Sequence, residues 1–165
     1  MSVPSLSTNE IRARASNFAK KFKDTTNENK ETQTFWNEFF EIFGISRFSV
    51  AEYEKQVSKL NGNTGRIDLF WPKVLLIEHK TKGRDLEKAM EQADEYFLQL
   101  EEKLRPRYQL ACDFQTWYLI DRGESSKIRE YNFKLSELPD KIECFNFMRG
   151  LAQEKNHDED PVNIK

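Results

Sequence analysis

Three charged residues interrupt two strongly apolar segments in the middle of the chain: Asp68, Glu78 and Lys80. Side chains alternate between the two faces of a β-strand, so Glu78 and Lys80 project to one side and His79 to the other. If the two segments form a hairpin centred near Lys73, Asp68 lies opposite Glu78, with Cβ atoms about 4.5–5.5 Å apart. Two carboxylates at that distance repel each other unless a cation lies between them. The spacing therefore predicts a divalent-cation site.

Two carboxylates form an incomplete shell of hard oxygen ligands. Such a shell favours Mg²⁺, for which Mn²⁺ can substitute, because Mg²⁺ keeps several waters and accepts substrate phosphate as a further ligand. Lys80 reaches the same position, where its ammonium can orient or help deprotonate a water, or neutralise charge on a phosphorane-like transition state. The alternative interpretation is a chance spacing of solvated charges, since the chain has 28 acidic and 26 basic residues.

A second pair of polar residues lies on the helix predicted after this hairpin. Gln92 and Tyr96 are four positions apart in the sequence, so they share one face of that helix. Gln92 can support Lys80 or a phosphate from this position. In the alternative interpretation Tyr96 is an amphipathic core residue and Gln92 is solvated.

Composition restricts the class of protein. The 165 residues suffice for one domain with a sizeable core. The net charge of −2 provides no overall positive field for strong, autonomous binding to nucleic acid. Two cysteines in unrelated contexts and two histidines argue against a disulfide framework and a structural zinc site. Free thiols, the lack of a signal peptide and the lack of a membrane-spanning segment predict a cytoplasmic protein without a membrane partner.

Hydrophobic periodicity predicts the elements that position these residues. The predicted elements are helices at about 8–23, 31–43, 85–104 and 135–151 and strands at about 47–60, 66–71, 74–80, 108–114 and 116–121. Ser7 and Glu10 form a capping-box pattern before the first helix, and Gly44 is placed to end the second. This order predicts an α/β fold with a central mixed sheet flanked by helices.

The charged pattern also resembles that of a known superfamily. Asp68, then Glu78-His79-Lys80 after a hairpin, then Gln92-x-x-x-Tyr96 on the next helix resembles the PD-(D/E)XK nucleases, in particular the RecB-type branch. Ile67 stands where the name of the superfamily has proline. The resemblance implies the restriction endonuclease-like fold, with a catalytic site that consists of Asp68, Glu78, Lys80, Gln92 and Tyr96.

Longer segments are similar to one family within that superfamily. These segments are "ETQTFWNEFFEIFG", "GRIDLFWPKVLLIEHKTKGRDLEKAMEQADEY", "RPRYQLACDF" and "EDPVNIK". They resemble the N-terminal endonuclease region of MmeI-like type IIL (IIG) restriction-modification enzymes, over residues 5–165. In that family, one polypeptide joins the endonuclease to an adenine-N6 DNA methyltransferase and a target-recognition region.

The resemblance implies a domain organisation and a function. Residues 1–151 are expected to form a Mg²⁺-dependent DNA endonuclease domain, with N-terminal helices at about 8–44, a catalytic core at about 45–121 and a closing helix at about 135–151. Residues 152–165 are expected to be a polar linker toward a methyltransferase region absent from this sequence, and S-adenosylmethionine would bind only there. The expected partners are double-stranded DNA, those fused regions and a second copy for cutting both strands.

The predicted site includes further residues, of which only the extra acid is implied by the same resemblance; the DNA-binding pair is chosen because it lies just beyond the site. Asp68 and Glu78 are the expected metal ligands, with the backbone carbonyl of His79 as a possible third. Other candidates are an extra acid at Glu31 or Glu38, either of which could equally be a solvated helix residue, and the DNA-binding pair Lys82 and Arg84. Other basic residues that can meet phosphate are Lys73, Arg105 and Arg107, and Arg12, Arg14, Lys20, Lys21 and Lys23 on the first helix.

An alternative function uses the same fold without catalysis. The domain would then be a silent module that assists the assembly or DNA placement of the adenine-N6 methyltransferase. The presence of all three residues Asp68, Glu78 and Lys80 favours the nuclease.

Overall fold

A computed structural model describes residues 6–26, 28–59, 62–81, 85–123 and 127–149 of the chain. Its α-helices are α1 (Thr8–Lys21), α2 (Glu28–Ile42), α3 (Arg47–Val50) and α4 (Leu86–Gln99). Its strands are β1 (Glu52–Ser58), β2 (Thr64–Trp71), β3 (Leu75–His79), β4 (Tyr108–Cys112), β5 (Thr116–Asp121) and β6 (Arg129–Lys134). Short 3₁₀-helices occupy Glu102–Leu104, Leu135–Asp140 and Ile142–Phe145.

The six strands form one mixed sheet in the order β1-β2-β3-β4-β5-β6. Only β3 and β4 pair in parallel, and α4 lies in the crossover that a parallel connection requires. Helices α1 and α2 cover one face of the sheet, and α4 covers the other. The architecture confirms the predicted α/β class and agrees with the restriction endonuclease-like fold.

Two hydrophobic cores hold the sheet between its helices. The first core lies under α1 and α2 and is dominated by aromatic side chains, because Phe43 directly follows α2 and α2 itself places four of them at helical spacing: Phe35, Trp36, Phe39 and Phe40. The smaller second core lies under α4. Because β3 is covered on both faces, all five of its residues are buried, which explains its nearly continuous apolar sequence.

The helix ends follow the predicted capping chemistry. The Ser7 hydroxyl oxygen accepts a hydrogen bond from the Glu10 amide at 3.1 Å and caps α1. Gly44 has a φ of 75°, and the Ile45 amide donates to the Phe40 carbonyl at 3.2 Å, which is the Schellman arrangement that ends α2. None of the helices in the described ranges is long and apolar enough to cross a membrane.

Two predicted elements differ from the structure, and one observed strand was not predicted. Residues 47–50 form a helical turn instead of the start of a strand, because the Arg47 guanidinium bonds to Asn37 and to the carbonyl of Ala51. Strand β6 was not predicted, since Phe133 is its only buried residue and it lacks apolar alternation. In the described part of the chain, the closing segment is α-helical only at residues 146–149. Before that it forms 3₁₀-helices, one of which contains Pro139, which lacks an amide donor. The predicted linker lies outside the described residues.

Candidate active site

The predicted site lies where β2 and β3 separate. The paired residues of the hairpin are Trp71–Leu75, Phe70–Leu76 and Leu69–Ile77, the register expected for a hairpin centred near position 73. One position further, carboxylate side chains accept the hydrogen bonds that backbone carbonyls accept in a regular sheet. The Asp68 amide donates to Glu78 Oε1 at 3.3 Å, and the His79 amide donates to Asp68 Oδ2 at 2.7 Å. Each carboxylate thus accepts a backbone hydrogen from the opposite strand, which holds the two acids together in a fork.

Beside this fork the pairing of β1 with β2 is interrupted. The pairs on either side of the interruption are Tyr53–Leu69 and Lys55–Ile67. Between them Glu54 has a left-handed backbone with a φ of 56°, which costs a non-glycine residue about 1–2 kcal/mol. Leu69 packs in the first core, whereas Ile67 packs in the second, although the two residues would share a face in a regular strand. Strand β2 therefore rotates at Asp68.

Glu78 is the most buried acid of the fork, at 1% exposure. Burial, and secondly the charge of Asp68, raise the pKa of Glu78 well above 4.5, while Lys80 acts in the opposite direction. An ionised carboxylate in such a position is destabilising unless a positive charge accompanies it. The fork therefore offers two carboxylate oxygen ligands at a place where a nearby cation would stabilise the ionised form of both acids.

Lys80 is held by a chain of side-chain hydrogen bonds from α4. Its Nζ donates to Gln92 Oε1 at 2.9 Å, and Gln92 Nε2 donates to the Tyr96 hydroxyl oxygen at 2.7 Å. The Lys80 amide also donates to the Cys112 carbonyl at 2.8 Å, which continues the pairing with β4. The structure thus brings Gln92 and Tyr96 of α4 together with Lys80, as their helical spacing indicates. The hydrogen bond from Lys80 to Gln92 orients the ammonium.

The Tyr96 ring lies directly against Gly65 of β2. A Cβ atom at Gly65 would come within 2.6 Å of Tyr96 Cε1 and 3.0 Å of its hydroxyl oxygen, so only glycine admits the ring in this position. Burial raises the pKa of Tyr96, and so does the Glu78 charge. Gly65 was not among the predicted site residues, although a glycine inside a strand is a signal of close approach.

His79 faces the other side of the sheet, as the alternation predicts. Trp36 Nε1 donates to its Nδ1 at 3.0 Å, so Nε2 carries the proton of the neutral ring. Within the described part of the chain, this Nε2 is the buried side-chain nitrogen or oxygen without a hydrogen-bond partner. Burial lowers the pKa of His79 to about 3. The imidazole is therefore a structural group, and only the backbone carbonyl of His79 remains a candidate ligand.

Of the other predicted residues, Glu38 forms its ion pair outside the fork. Glu38 forms a salt bridge with Lys21 of α1 at 2.7 Å, an arrangement that already accounts for its charge. Glu31 is half-buried near the start of α2 and stays a prediction. Lys82 and Arg84 lie outside the described residues.

Two of the suggested phosphate-binding residues form hydrogen bonds within the domain. Arg107 bonds to both carboxylate oxygens of Asp121, at 2.8 and 3.3 Å. Arg105 donates to the backbone carbonyls of Leu98 and Leu100. Both arginines come just before β4, and the start of β4 pairs with the start of β3. Glu78 lies near the end of β3, so the two arginines are at the opposite end of the sheet from the site.

The donor set of the fork fits Mg²⁺. Over the ranges that the structure describes, no group of three or more His, Cys, Asp and Glu residues could hold a metal ion. Two carboxylates alone do not supply the six to eight ligands that Ca²⁺ takes. They do suit Mg²⁺, which binds one or two carboxylates and keeps waters or phosphate oxygens in its remaining positions.

Comparison with known proteins gives the family. The model of the family described as "MmeI, N-terminal domain" matches residues 11–165. The chain belongs to this family. No curated protein matches the sequence. A solved structure described as a cryo-EM structure of a DrdV–DNA complex is similar at a TM-score of 0.45 and 15% identity over 84% of this chain. The chain covers 13% of that protein's chain.

The burial of Glu78 predicts a specific pH dependence of stability in this MmeI-family domain. The folded state binds the Glu78 proton more tightly than the unfolded chain does. This contribution to stability is fully present below about pH 4.5 and is lost as the pH rises through the raised pKa. We expect the unfolding free energy of the wild type, measured in urea with EDTA, to fall relative to that of Glu78→Gln as the pH rises. Parallel pH profiles would contradict this, and the exposed Glu91→Gln is the control.

The contact between Gly65 and Tyr96 predicts a strongly coupled pair. Gly65→Ala should destabilise the domain by about 1–3 kcal/mol, because the added methyl group overlaps the tyrosine ring. In a Tyr96→Ala background the same substitution should cost much less, since the ring is gone and only the flexible end of the Lys59 side chain has to shift. Urea unfolding of the four proteins of this double-mutant cycle measures the coupling. Equal effects of Gly65→Ala in both backgrounds would show that the ring does not need the glycine.

Proposed function

We propose that this domain is the Mg²⁺-dependent DNA endonuclease of a fused restriction-modification enzyme and hydrolyses DNA phosphodiester bonds. One observation carries the proposal: two carboxylates from neighbouring strands meet in a fork, and a lysine held by α4 stands beside them. Glu78 is buried and repelled by the charge of Asp68, so the pair is unfavourable unless a cation accompanies it. Membership of the MmeI N-terminal family supports the same function.

Each residue has a distinct role in this proposal. Asp68 and Glu78 would hold Mg²⁺ or Mn²⁺, with the His79 carbonyl as a possible further ligand. A metal held by these two carboxylates would supply Lewis-acid polarisation of the phosphoryl group and would favour deprotonation of water. The Lys80 ammonium orients the attacking water or neutralises charge that develops on the phosphate.

Gln92 and Tyr96 contribute by fixing the position of that ammonium. Gln92 accepts from Lys80 and donates to Tyr96, so its amide can adopt only one orientation. A lysine side chain that is already ordered loses less conformational entropy when substrate binds.

The wider protein is proposed from the family alone. Residues 152–165 would lead from the 1–151 nuclease domain to an adenine-N6 methyltransferase, which would use S-adenosylmethionine, and to a target-recognition region. Double-stranded DNA would be the substrate, a second copy would cut the second strand, and the protein would act in the cytoplasm. Lys82 and Arg84, just beyond the site, are proposed to contact phosphate.

The metal site is tested most simply by removing one charge. Asp68→Asn keeps an oxygen that can accept the His79 amide but removes the carboxylate charge. We expect saturable Mn²⁺ binding, measured by calorimetry, to be present in the wild type and lost in this variant. The exposed Asp140→Asn should bind as the wild type does. Unchanged binding by a folded Asp68→Asn protein would exclude the site.

Substitution of Lys80 should strongly reduce DNA cleavage without abolishing metal binding. Lys80→Ala leaves both carboxylates in place, so Mn²⁺ binding should persist while DNA cleavage falls by about 100-fold or more.

Cleavage by residues 1–165 should itself be weak, independent of sequence and suppressed by moderate salt, because a net charge of −2 gives little affinity for phosphate. Metal binding without any cleavage by the wild type or by a full-length relative would favour the silent module. Rapid cutting at one fixed sequence would show that specificity resides in this domain.

A further inference from the structure

Strands β1 and β2 continue beyond the rest of the sheet as a two-stranded arm. Their pairing runs from Glu52–Phe70 to Ser58–Thr64, whereas the pairing of β2 with β3 stops at Leu69–Ile77. We define the arm as residues 55–59 and 62–67. Its second strand ends at Ile67, directly before Asp68, so the arm projects from the edge of the acidic fork. Four residue pairs at about 3.3 Å each give it a length of roughly 13 Å, which is the axial length of about four base pairs.

The arm is locally basic in a domain that is not. Its residues include Lys55, Lys59 and Arg66 and no acid, while the net charge of the whole chain is −2. Lys55 approaches Glu52 at 3.8 Å in an exposed and therefore weak pair. Neither Lys59 nor Arg66 takes part in an ion pair with another described residue. Their charges are thus available to an anionic partner.

Lys59 is also close to the groups that hold Lys80. A Cβ atom at Gly65 would lie 2.8 Å from Lys59 Cε and 3.0 Å from the Tyr96 hydroxyl oxygen, so both atoms border the same point. The Arg66 backbone also lies near the Tyr96 hydroxyl and acts to lower its pKa. The arm therefore packs against Tyr96, which is hydrogen-bonded through Gln92 to Lys80. This contact fixes the position of the arm relative to the fork.

We propose that the arm binds the DNA backbone on one side of the scissile phosphate through Lys59 and Arg66. The inference rests on the proposed function, which places the scissile phosphate at Asp68 and Glu78. A duplex centred there extends past the fork, and an arm about four base pairs long runs beside the neighbouring phosphates. Contacts of lysine and arginine with phosphate position the duplex without reading its sequence, which suits a domain that depends on another region for target recognition.

The test measures how duplex binding by the 165-residue chain depends on salt. Fluorescence anisotropy in EDTA excludes both metal binding and cleavage. The variants are Lys59→Met, which keeps the aliphatic stem over Gly65 while removing the charge, and Arg66→Gln. The control is Lys103→Ala, which removes one charge from an exposed lysine that follows α4. We expect each arm variant to reduce the slope of log K against log salt by about 0.9, and Lys59→Arg to restore it, while the control leaves it unchanged.

The possible outcomes separate this inference from the proposed function. Slopes of Lys59→Met and Arg66→Gln equal to that of the wild type would overturn the arm as a DNA surface, as would a wild type that binds no duplex at low salt. Equal losses in Lys103→Ala would also overturn it, because the effect would then be one of net charge. The Mn²⁺ affinity of both arm variants should match that of the wild type. A wild type that binds no Mn²⁺ refutes the proposed function, yet the anisotropy in EDTA still decides the role of the arm.

Discussion

The structure depends on keeping two carboxylates side by side where two strands separate. Asp68 and Glu78 repel each other, and Glu78 is buried, so the fork is unfavourable without a cation. It persists because each carboxylate accepts an amide hydrogen from the opposite strand, so that side chains take the place of ladder bonds. The end of β3 is thereby shaped for a ligand.

The two faces of the sheet stabilise this end in different ways. On the α2 side, Trp36 bonds to His79 inside an aromatic core, which fixes the backbone between the second acid and Lys80. On the α4 side, a polar chain runs from Lys80 to Gln92 and Tyr96. The left-handed Glu54, the unpartnered Nε2 of His79 and the raised pKa of Glu78 all lie in this neighbourhood. Such locally unfavourable features gather where function constrains the sequence more than stability does.

The parts that could be predicted are those encoded by local periodicity. Alternation along β3 put Glu78 and Lys80 on one face, the hairpin centre gave the register, and helical spacing paired Gln92 with Tyr96. The parts that could not be predicted join distant segments. The bond between Trp36 and His79 spans 43 residues of sequence, and the contact between Gly65 and Tyr96 depends on how α4 crosses the sheet. Strand β6 carries almost no apolar pattern, because it is an edge strand with one buried residue. The ligand roles of Asp68 and Glu78 remain predictions.

The central claim is that the fork holds a divalent cation, and crystals grown with Mn²⁺ test it most directly. The account predicts one strong anomalous peak between Asp68 and Glu78, about 2.0–2.3 Å from an oxygen of each carboxylate, with the remaining positions filled by water. Lys80 should stay bonded to Gln92 beside it. A fork without a peak at millimolar Mn²⁺, with both carboxylates still engaged only by the amides of the opposite strand, would contradict the claim.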